Sequence, residues 1–253
     1  MASFPTRSGG SIDNFGGLLS SASDSYALKP PPPAVLEYLP ENASATGWLN
    51  TGTGGAAHHL SLVGATAAIL LPAGGPNGHP ALRFDPGVVM QSATNLPIFG
   101  QAPRTVYQIL KLYGTSGADL CGWGEGSPGR AYDVRVNGGA GIIVQHIFDA
   151  AASLKTTQAG VFLALLSRGN QVTSPAVGWQ VWQQSSETPT PEPVLTSPVV
   201  DTSSTPFRLN RGTIDTPSYR VDHCETRVWD YFLTNGQHDF IKAYTLEKYG
   251  LAF

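Results

Sequence analysis

Retaining glycoside hydrolysis needs two carboxyl groups about 5 Å apart, and alternate positions on a β-strand bring side chains to a common face. The nearest candidates are Asp222 with Glu225 and Glu225 with Asp230. Their odd spacings put the members on opposite faces of a regular strand. Hydrolysis built on one strand is therefore not expected, and only pairing between strands could assemble two carboxylates. Gly124, Gly126 and Gly129 spell GxGxxG, but Pro128 and the strand-like run after it refuse the strand-to-helix context that a dinucleotide fingerprint requires. The same stretch, Glu125 to Gly129 around Ser127, lacks the first glycine of a nucleophile elbow. His58 and His59 are adjacent, so on a strand they point apart rather than chelate one ion. Calcium takes six to eight oxygens. Asp85, Asp119, Asp133, Asp149 and Asn137 are scattered, with no Asp-x-Asp or Asp-x-Asn pair among them. No metal or cofactor is implied.

What remains is recognition by aromatic surfaces. Trp123, in the glycine-rich run Gly122 to Gly126, is the first candidate for stacking on a sugar ring. Trp182 is the second, because it lies on the opposite strand parity from Trp179 and so faces away from it. Trp48, Trp179 and Trp229 read as core.

The elements that position these residues are strands. Only 13% of the 253 residues are charged, against about 25% in an average soluble domain, so the surface is largely uncharged and polar. The 29 Gly and 20 Pro break long helices and suit many short strands joined by turns. Strand-like runs recur at Ala81 to Phe84, Thr105 to Tyr113, Tyr132 to Val136, Gly141 to Phe148, Val161 to Ser167 and Gly178 to Gln183. In one of them Tyr132, Val134 and Val136 alternate with Asp133 and Arg135, the period of a half-buried antiparallel strand. Leu60 to Leu71, divided by Gly64, reads as one or two core strands, and Tyr219 to Tyr231 as a mixed strand. Ser185 to Pro206, with Pro189, Pro191, Pro193 and Pro198, reads as a surface excursion. One helix is expected near the C-terminus, capped by Thr234 or Asn235, with Phe240, Ile241 and Tyr244 as its apolar stripe and Gly250 as its stop.

Residues 1–45 differ in character from the rest. Ile12, Phe15, Leu18 and Leu19 have the spacing of one helical face, although Gly16 and Gly17 weaken a helix on its own. Pro30 to Pro33 form a stiff polyproline spacer. The expected organisation is an arm over residues 1–45, whose four apolar residues dock on another subunit, and a sandwich over residues 46–253. The formal net charge is −3, with no basic run to neutralise phosphates, which argues against a nucleic-acid partner. No apolar stretch is long enough to span a membrane, and the opening MASFPTRSGGSIDNFGG lacks a secretory core. Cys121 and Cys224 are too few for a disulfide framework or a four-thiolate zinc site. They read as buried thiols, and spacing does not decide whether a bridge joins them.

One segment carries a family signature: Val228, Trp229, Asp230, Tyr231, Phe232, Leu233 and Thr234, followed by Phe240 to Leu251 and ending in Lys248, Tyr249, Gly250 and Leu251. It resembles the last strand and helix of concanavalin A-like lectin/glucanase domains of the laminin G-like kind. Trp48 before a Gly-rich turn, His79 to Phe84, Pro103 to Val106 and Trp179 agree in order along the chain. The resemblance implies an all-β jelly-roll sandwich of two antiparallel sheets with one short C-terminal helix, here behind an extended N-terminal arm. Glycosidases of this fold resemble one another in an acidic Glu-x-Asp-x-x-Glu or Glu-x-Asp-x-Glu cluster, which this chain lacks. Such domains are frequent in bacteriophage structural proteins. The resemblance therefore implies a non-enzymatic capsid decoration or attachment protein, made in the host cytoplasm and carried on the virion. Its expected partners are copies of itself, with a trimer favoured by the three-fold sites of icosahedral lattices, the major capsid protein or another virion protein, and a host-surface glycan. A carbohydrate-binding module is the alternative, and a glycoside hydrolase the third reading.

Overall fold

The computed structural model describes residues 30–114, 117–126, 130–137, 142–147, 150–156, 159–169, 180–184, 201–212 and 217–251. In chain order the strands are β1 (Leu36–Tyr38), β2 (Ala43–Ser44), β3 (Gly47–Trp48), β4 (Leu60–Val63), β5 (Ile69–Leu71), β6 (Ala81–Phe84), β7 (Val89–Asn95) and β8 (Arg104–Leu112). They continue with β9 (Ala118–Gly124), β10 (Ala131–Asn137), β11 (Ile142–Ile147), β12 (Ala150–Thr156), β13 (Phe162–Gly169), β14 (Gln180–Gln184), β15 (Pro206–Leu209) and β16 (Val221–Trp229). One helix, α1 (Asn235–Tyr249), follows.

The described strands form two antiparallel sheets. One has seven strands in the order β14-β13-β8-β16-β6-β5, with β1 also paired to β16; the other has nine, in the order β12-β11-β10-β9-β15-β7-β4-β3-β2. Their facing sides make the main core. Val106, Leu110, Leu112, Leu163, Leu165, Val221 and Val228 of the first sheet meet Trp48, Met90, Trp123, Tyr132, Val134, Phe207 and Leu209 of the second. The period-two reading of β10 is met, with Tyr132, Val134 and Val136 in this core. Gln108, Thr226 and His223 are buried polar residues on this inner side, and His223 is the one of them with an unpartnered ring. Neither ring nitrogen has a hydrogen-bond partner, the ring meets Phe84 edge-on, and burial pushes its pKa down to about 3.

Helix α1 covers the outer side of the seven-stranded sheet. Ile241, Tyr244 and Tyr249 pack with Tyr107, Ile109, Ala164, Leu166, Cys224 and Trp229 in a second apolar cluster. Thr234 caps the helix in a reciprocal box with Gln237, and Gly250 ends it at φ 67°, where a side chain would be strained. Cys121 and Cys224 are buried free thiols. Cys121 lies between the sheets and Cys224 under the helix. Among the described residues no helix is long and apolar enough to cross a membrane.

Three expectations require correction. The sandwich starts at Pro31 rather than Thr46. Leu36, Glu37 and Tyr38 pair with Val228, Arg227 and Thr226, and Leu36 and Tyr38 are fully buried. The last prolines belong to this packing rather than to a free spacer, since Trp229 Nε1 donates to the Pro32 carbonyl at 2.9 Å. Proline lacks an N–H, but its carbonyl still accepts, and β1 places that carbonyl against β16. Leu60 to Leu71 is divided between the two sheets as β4 and β5. It is not wholly core: β5 is an edge strand, with Ile69 46% and Leu70 40% exposed. The third correction concerns β16, where the register shifts between His223 and Glu225. The extra residue of this bulge, Cys224, resets the alternation. Asp222 and Glu225 then share the outer face instead of lying on opposite ones.

A protein beginning at Pro30 keeps β1 and should unfold cooperatively in urea. One beginning at Thr46 loses β1 and strands Arg227 beside the site of Glu37, and should be less stable by about 4 kcal/mol or more. Equal stability of the two truncations would refute the placement of β1.

Candidate functional site

Cross-strand register draws one line of side chains over the outer face of the seven-stranded sheet. Phe162 of β13 pairs with Lys111 of β8, Lys111 with Asp222 of β16, Asp222 with Arg83 of β6, and Arg83 with Ile69 of β5. Directly opposed residues of antiparallel strands point to the same side. Five strands therefore present an aromatic, a cation, an anion, a cation and an aliphatic side chain in a row about 19 Å long.

Tyr113, just past the end of β8, completes the row and is 38% exposed. Arg83 Nε donates to Asp222 Oδ1 at 2.8 Å, and its Nη2 donates to Asp222 Oδ2 at 3.0 Å and to the Tyr113 hydroxyl at 2.7 Å. The Tyr113 hydroxyl donates to Asp222 Oδ2 at 2.9 Å. These bonds to the carboxylate raise the Arg83 pKa above its ordinary value, against the opposing effect of burial. Arg83 and Lys111 both lie over the Tyr113 ring, at 5.1 and 5.0 Å from its centroid, and Lys111 is also 5.4 Å from that of Phe162. The result is a partly open aromatic surface held rigid by charged hydrogen bonds. It suits the apolar face of a sugar ring with polar groups alongside.

Toward the helix the same face closes over a buried ion cluster. Glu225 is fully buried and accepts from Arg227 Nε, from Lys248 Nζ at 3.0 Å, and from the hydroxyls of Tyr244 (2.9 Å) and Tyr249. Arg227 also pairs with Glu37 of β1. Burial alone would raise the Glu225 pKa, but Arg227 and Lys248 outweigh it and hold the carboxyl below its ordinary value. Every oxygen of this carboxylate is engaged, so it is a structural charge and not a reagent.

Pairing between strands does bring two carboxylates together elsewhere. A Cβ on Gly212 would lie 2.4 Å from Asp133 Oδ1 and 2.6 Å from Asp119 Oδ2, so these oxygens sit within about 5 Å of each other, the separation of a retaining pair. Both residues are fully buried, and Arg135 lies 3.5 Å from Asp119. Asp85, His59 and His58 have partners of their own. Asp85 bonds Arg220 at 2.7 Å, His59 Nδ1 accepts the Asn50 amide, and His58 faces Thr94. Among the described residues no group of three or more His, Cys, Asp or Glu is arranged to hold a metal.

Trp123 is not a surface platform: it is 0% exposed. Its indole donates to the Ile98 carbonyl at 2.7 Å, its ring lies 4.6 Å from Tyr132, and the Arg104 guanidinium stands over it. β9 runs through Gly122 to Gly124, so the glycine-rich run is strand rather than turn, and strand parity sends Trp123 inward. Trp182, on β14, pairs in register with Leu166 of β13; its side chain lies outside the described residues. So do Ile12, Phe15, Leu18, Leu19, Ser127 and Trp179. Trp48 and Trp229 are core, as expected. The row through Lys111 and Asp222 was missed because only strand pairing assembles it. Its sole sequence signal is the outward parity of Lys111 and Tyr113 after Tyr107 and Ile109.

No protein-family model and no curated protein sequence matches the chain. Solved structures do match. A GH54 α-L-arabinofuranosidase gives a TM-score of 0.59 at 11% identity, covering 79% of this chain and 50% of the other. The botulinum neurotoxin type G receptor binding domain gives 0.55 at 6% identity, covering 85% and 52%. Trypanosoma rangeli sialidase in complex with sialic acid gives 0.55 at 10% identity, covering 83% and 32%. This chain thus spans about half the length of the first two and a third of the sialidase. At such identities the likeness is one of fold: a two-sheet antiparallel β-sandwich.

Glu225→Gln should lower stability at neutral pH by about 3 kcal/mol, because it leaves Arg227 and Lys248 buried without their anion. The folded-state pKa of Glu225 is below its ordinary 4.5, so its contribution is complete above that value and is lost as pH falls through the folded one. The difference between wild type and variant, read from urea midpoints, should therefore shrink below pH 4.5. A constant gap down to pH 3 would refute the charge assignment.

Proposed function

We propose that this chain is a non-enzymatic, lectin-like attachment module that holds carbohydrate on the outer face of its seven-stranded sheet, at Tyr113 and Phe162. The observation that carries this reading is the exposed Tyr113 ring, fixed by Arg83 and Asp222 in a row that crosses five strands. The fold supports it: solved relatives in shape include a receptor binding domain and a sialidase carrying sialic acid. Catalysis is disfavoured by where the carboxylates lie. Glu225 is saturated, Asp222 is clamped by Arg83 and Tyr113, and the Asp119–Asp133 pair is sealed from solvent.

Tyr113→Ala should reduce binding on a glycan array by about tenfold or more while the protein stays folded, with a stability loss of no more than about 1–3 kcal/mol from the bonds to Asp222 and Arg83. Trp123→Ala should instead cost about 3–5 kcal/mol of stability. Unaltered glycan binding by Tyr113→Ala would remove this face from consideration.

The setting we infer is a virion surface, with the sandwich as the presented knob and Ile12, Phe15, Leu18 and Leu19 as its means of docking or trimer formation. The resemblance to phage structural domains and the low charge of the chain support it. Light scattering should give an oligomer for the full chain and a folded monomer for a chain starting at Pro30, with only the full chain cosedimenting with capsids. Identical masses would dismiss the docking role of these four residues.

A further inference from the structure

The row is not electrically balanced. Asp222 is consumed by Arg83 and Tyr113, and Lys111, although opposite Asp222 in register, makes no ion pair among the described residues. Its ammonium is held by the Tyr113 and Phe162 rings alone. Arg83 uses Nε and Nη2 for Asp222 and Tyr113, and Nη1 takes no hydrogen bond among the described residues. Two cations and one anion therefore surround one exposed tyrosine, and the unmatched charge belongs to Lys111. Aromatic rings on two sides fix a lysine's flexible stem and remove part of its hydration without neutralising it. Such an ammonium forms its strongest bond to an oxyanion.

We propose that the Tyr113 face selects saccharides bearing a carboxylate, such as sialic or uronic acid residues, with Lys111 as the specificity-determining residue. The sugar ring lies on Tyr113, its carboxylate accepts from Lys111 Nζ, and Arg83 Nη1 is the second donor at the other side of the ring. This inference rests on the reading of the face as a carbohydrate site and adds its ligand class. A neutral sugar would leave the Lys111 charge unanswered, so the face discriminates by charge as well as by shape.

The test uses the full chain in calorimetric titrations with oligosaccharides ending in sialic acid or glucuronic acid, with the same oligosaccharides after reduction of the carboxyl to an alcohol, and with a sulfated counterpart. The carboxylated forms should bind at least about tenfold tighter than the reduced ones, and the preference should weaken as salt rises. Lys111→Met keeps an unbranched chain between the two rings and removes the charge. It should abolish the preference for the carboxylated over the reduced form, with the unfolding midpoint unchanged. Equal affinity for acid and reduced forms, or a preference unchanged in Lys111→Met, overturns the inference and leaves the carbohydrate site standing. A sulfated ligand bound more tightly than the carboxylated ones overturns the stated class. Binding of none of them overturns both the inference and the carbohydrate reading.

Discussion

The buried pair of Glu225 and Arg227 is the interaction on which the arrangement of the seven-stranded sheet depends. Each ion costs several kcal/mol to remove from water, and attraction within the pair offsets that only when the remaining hydrogen-bonding positions are filled. They are filled from three directions. Lys248, Tyr244 and Tyr249 come from α1, Glu37 comes from β1, and the two ions themselves stand on β16. Neither the helix nor the first strand can leave without exposing an unpaired buried charge. The earliest and latest parts of the sandwich are thereby tied to one central strand.

That tie also determines which part of the sheet is open. α1 lies over Tyr107, Ile109, Cys224 and Trp229, with Tyr249 brought onto Glu225, and Gly250 turns the chain away immediately afterwards. Asn77 then donates to the Lys248 carbonyl at 3.1 Å, so the end of the helix is fixed as well as its packing. The next row of the sheet, from Phe162 through Lys111, Asp222 and Arg83 to Ile69, lies two residues along the strands from Ile109 and Ala81 of the helix-covered cluster, at the next position on the same face. The candidate site is thus the uncovered remainder of a face whose other part is stabilised by burial.

The helix and strands such as β6, β8, β10, β13 and β16 were legible in the sequence because their signals are local. Alternation in β10, Thr234 with Gln237 ahead of Ile241 and Tyr244, and Gly250 after Tyr249 each act within a few residues. The site was not legible, because it is made by register. Phe162, Lys111, Asp222 and Arg83 are far apart in the chain and meet only when β13, β8, β16 and β6 are aligned. The bulge at Cys224 carries no composition signal, yet it moves Glu225 to the face of Asp222 and reverses a parity argument that holds for a regular strand. Trp123 failed for a related reason: its flanking glycines read as a turn. Gly122 is instead a strand position where a Cβ would strike Asp133 Oδ1 at 1.9 Å, so glycine there serves close packing on the outer face. Pro30 to Pro33 misled in the same way, since a stiff run read as a spacer delivers its Pro32 carbonyl to Trp229.

Sandwiches of this shape occur in hydrolases and in binding domains alike, so the fold does not choose between them. The choice lies in the state of the acids. A carboxylate that is to act as nucleophile or proton donor has to meet substrate, and its pKa has to respond to that encounter. Glu225 already has strong donors on both oxygens and is held ionised beneath the helix. Asp119 and Asp133 have the spacing of a catalytic pair but no surface. Asp222 lies beneath the open row, buried, and gives both oxygens to Arg83 and Tyr113, so its effect is to hold those two residues still. On the reading we propose, a face whose acid serves as scaffold while a tyrosine and a lysine remain available holds a ligand without changing it.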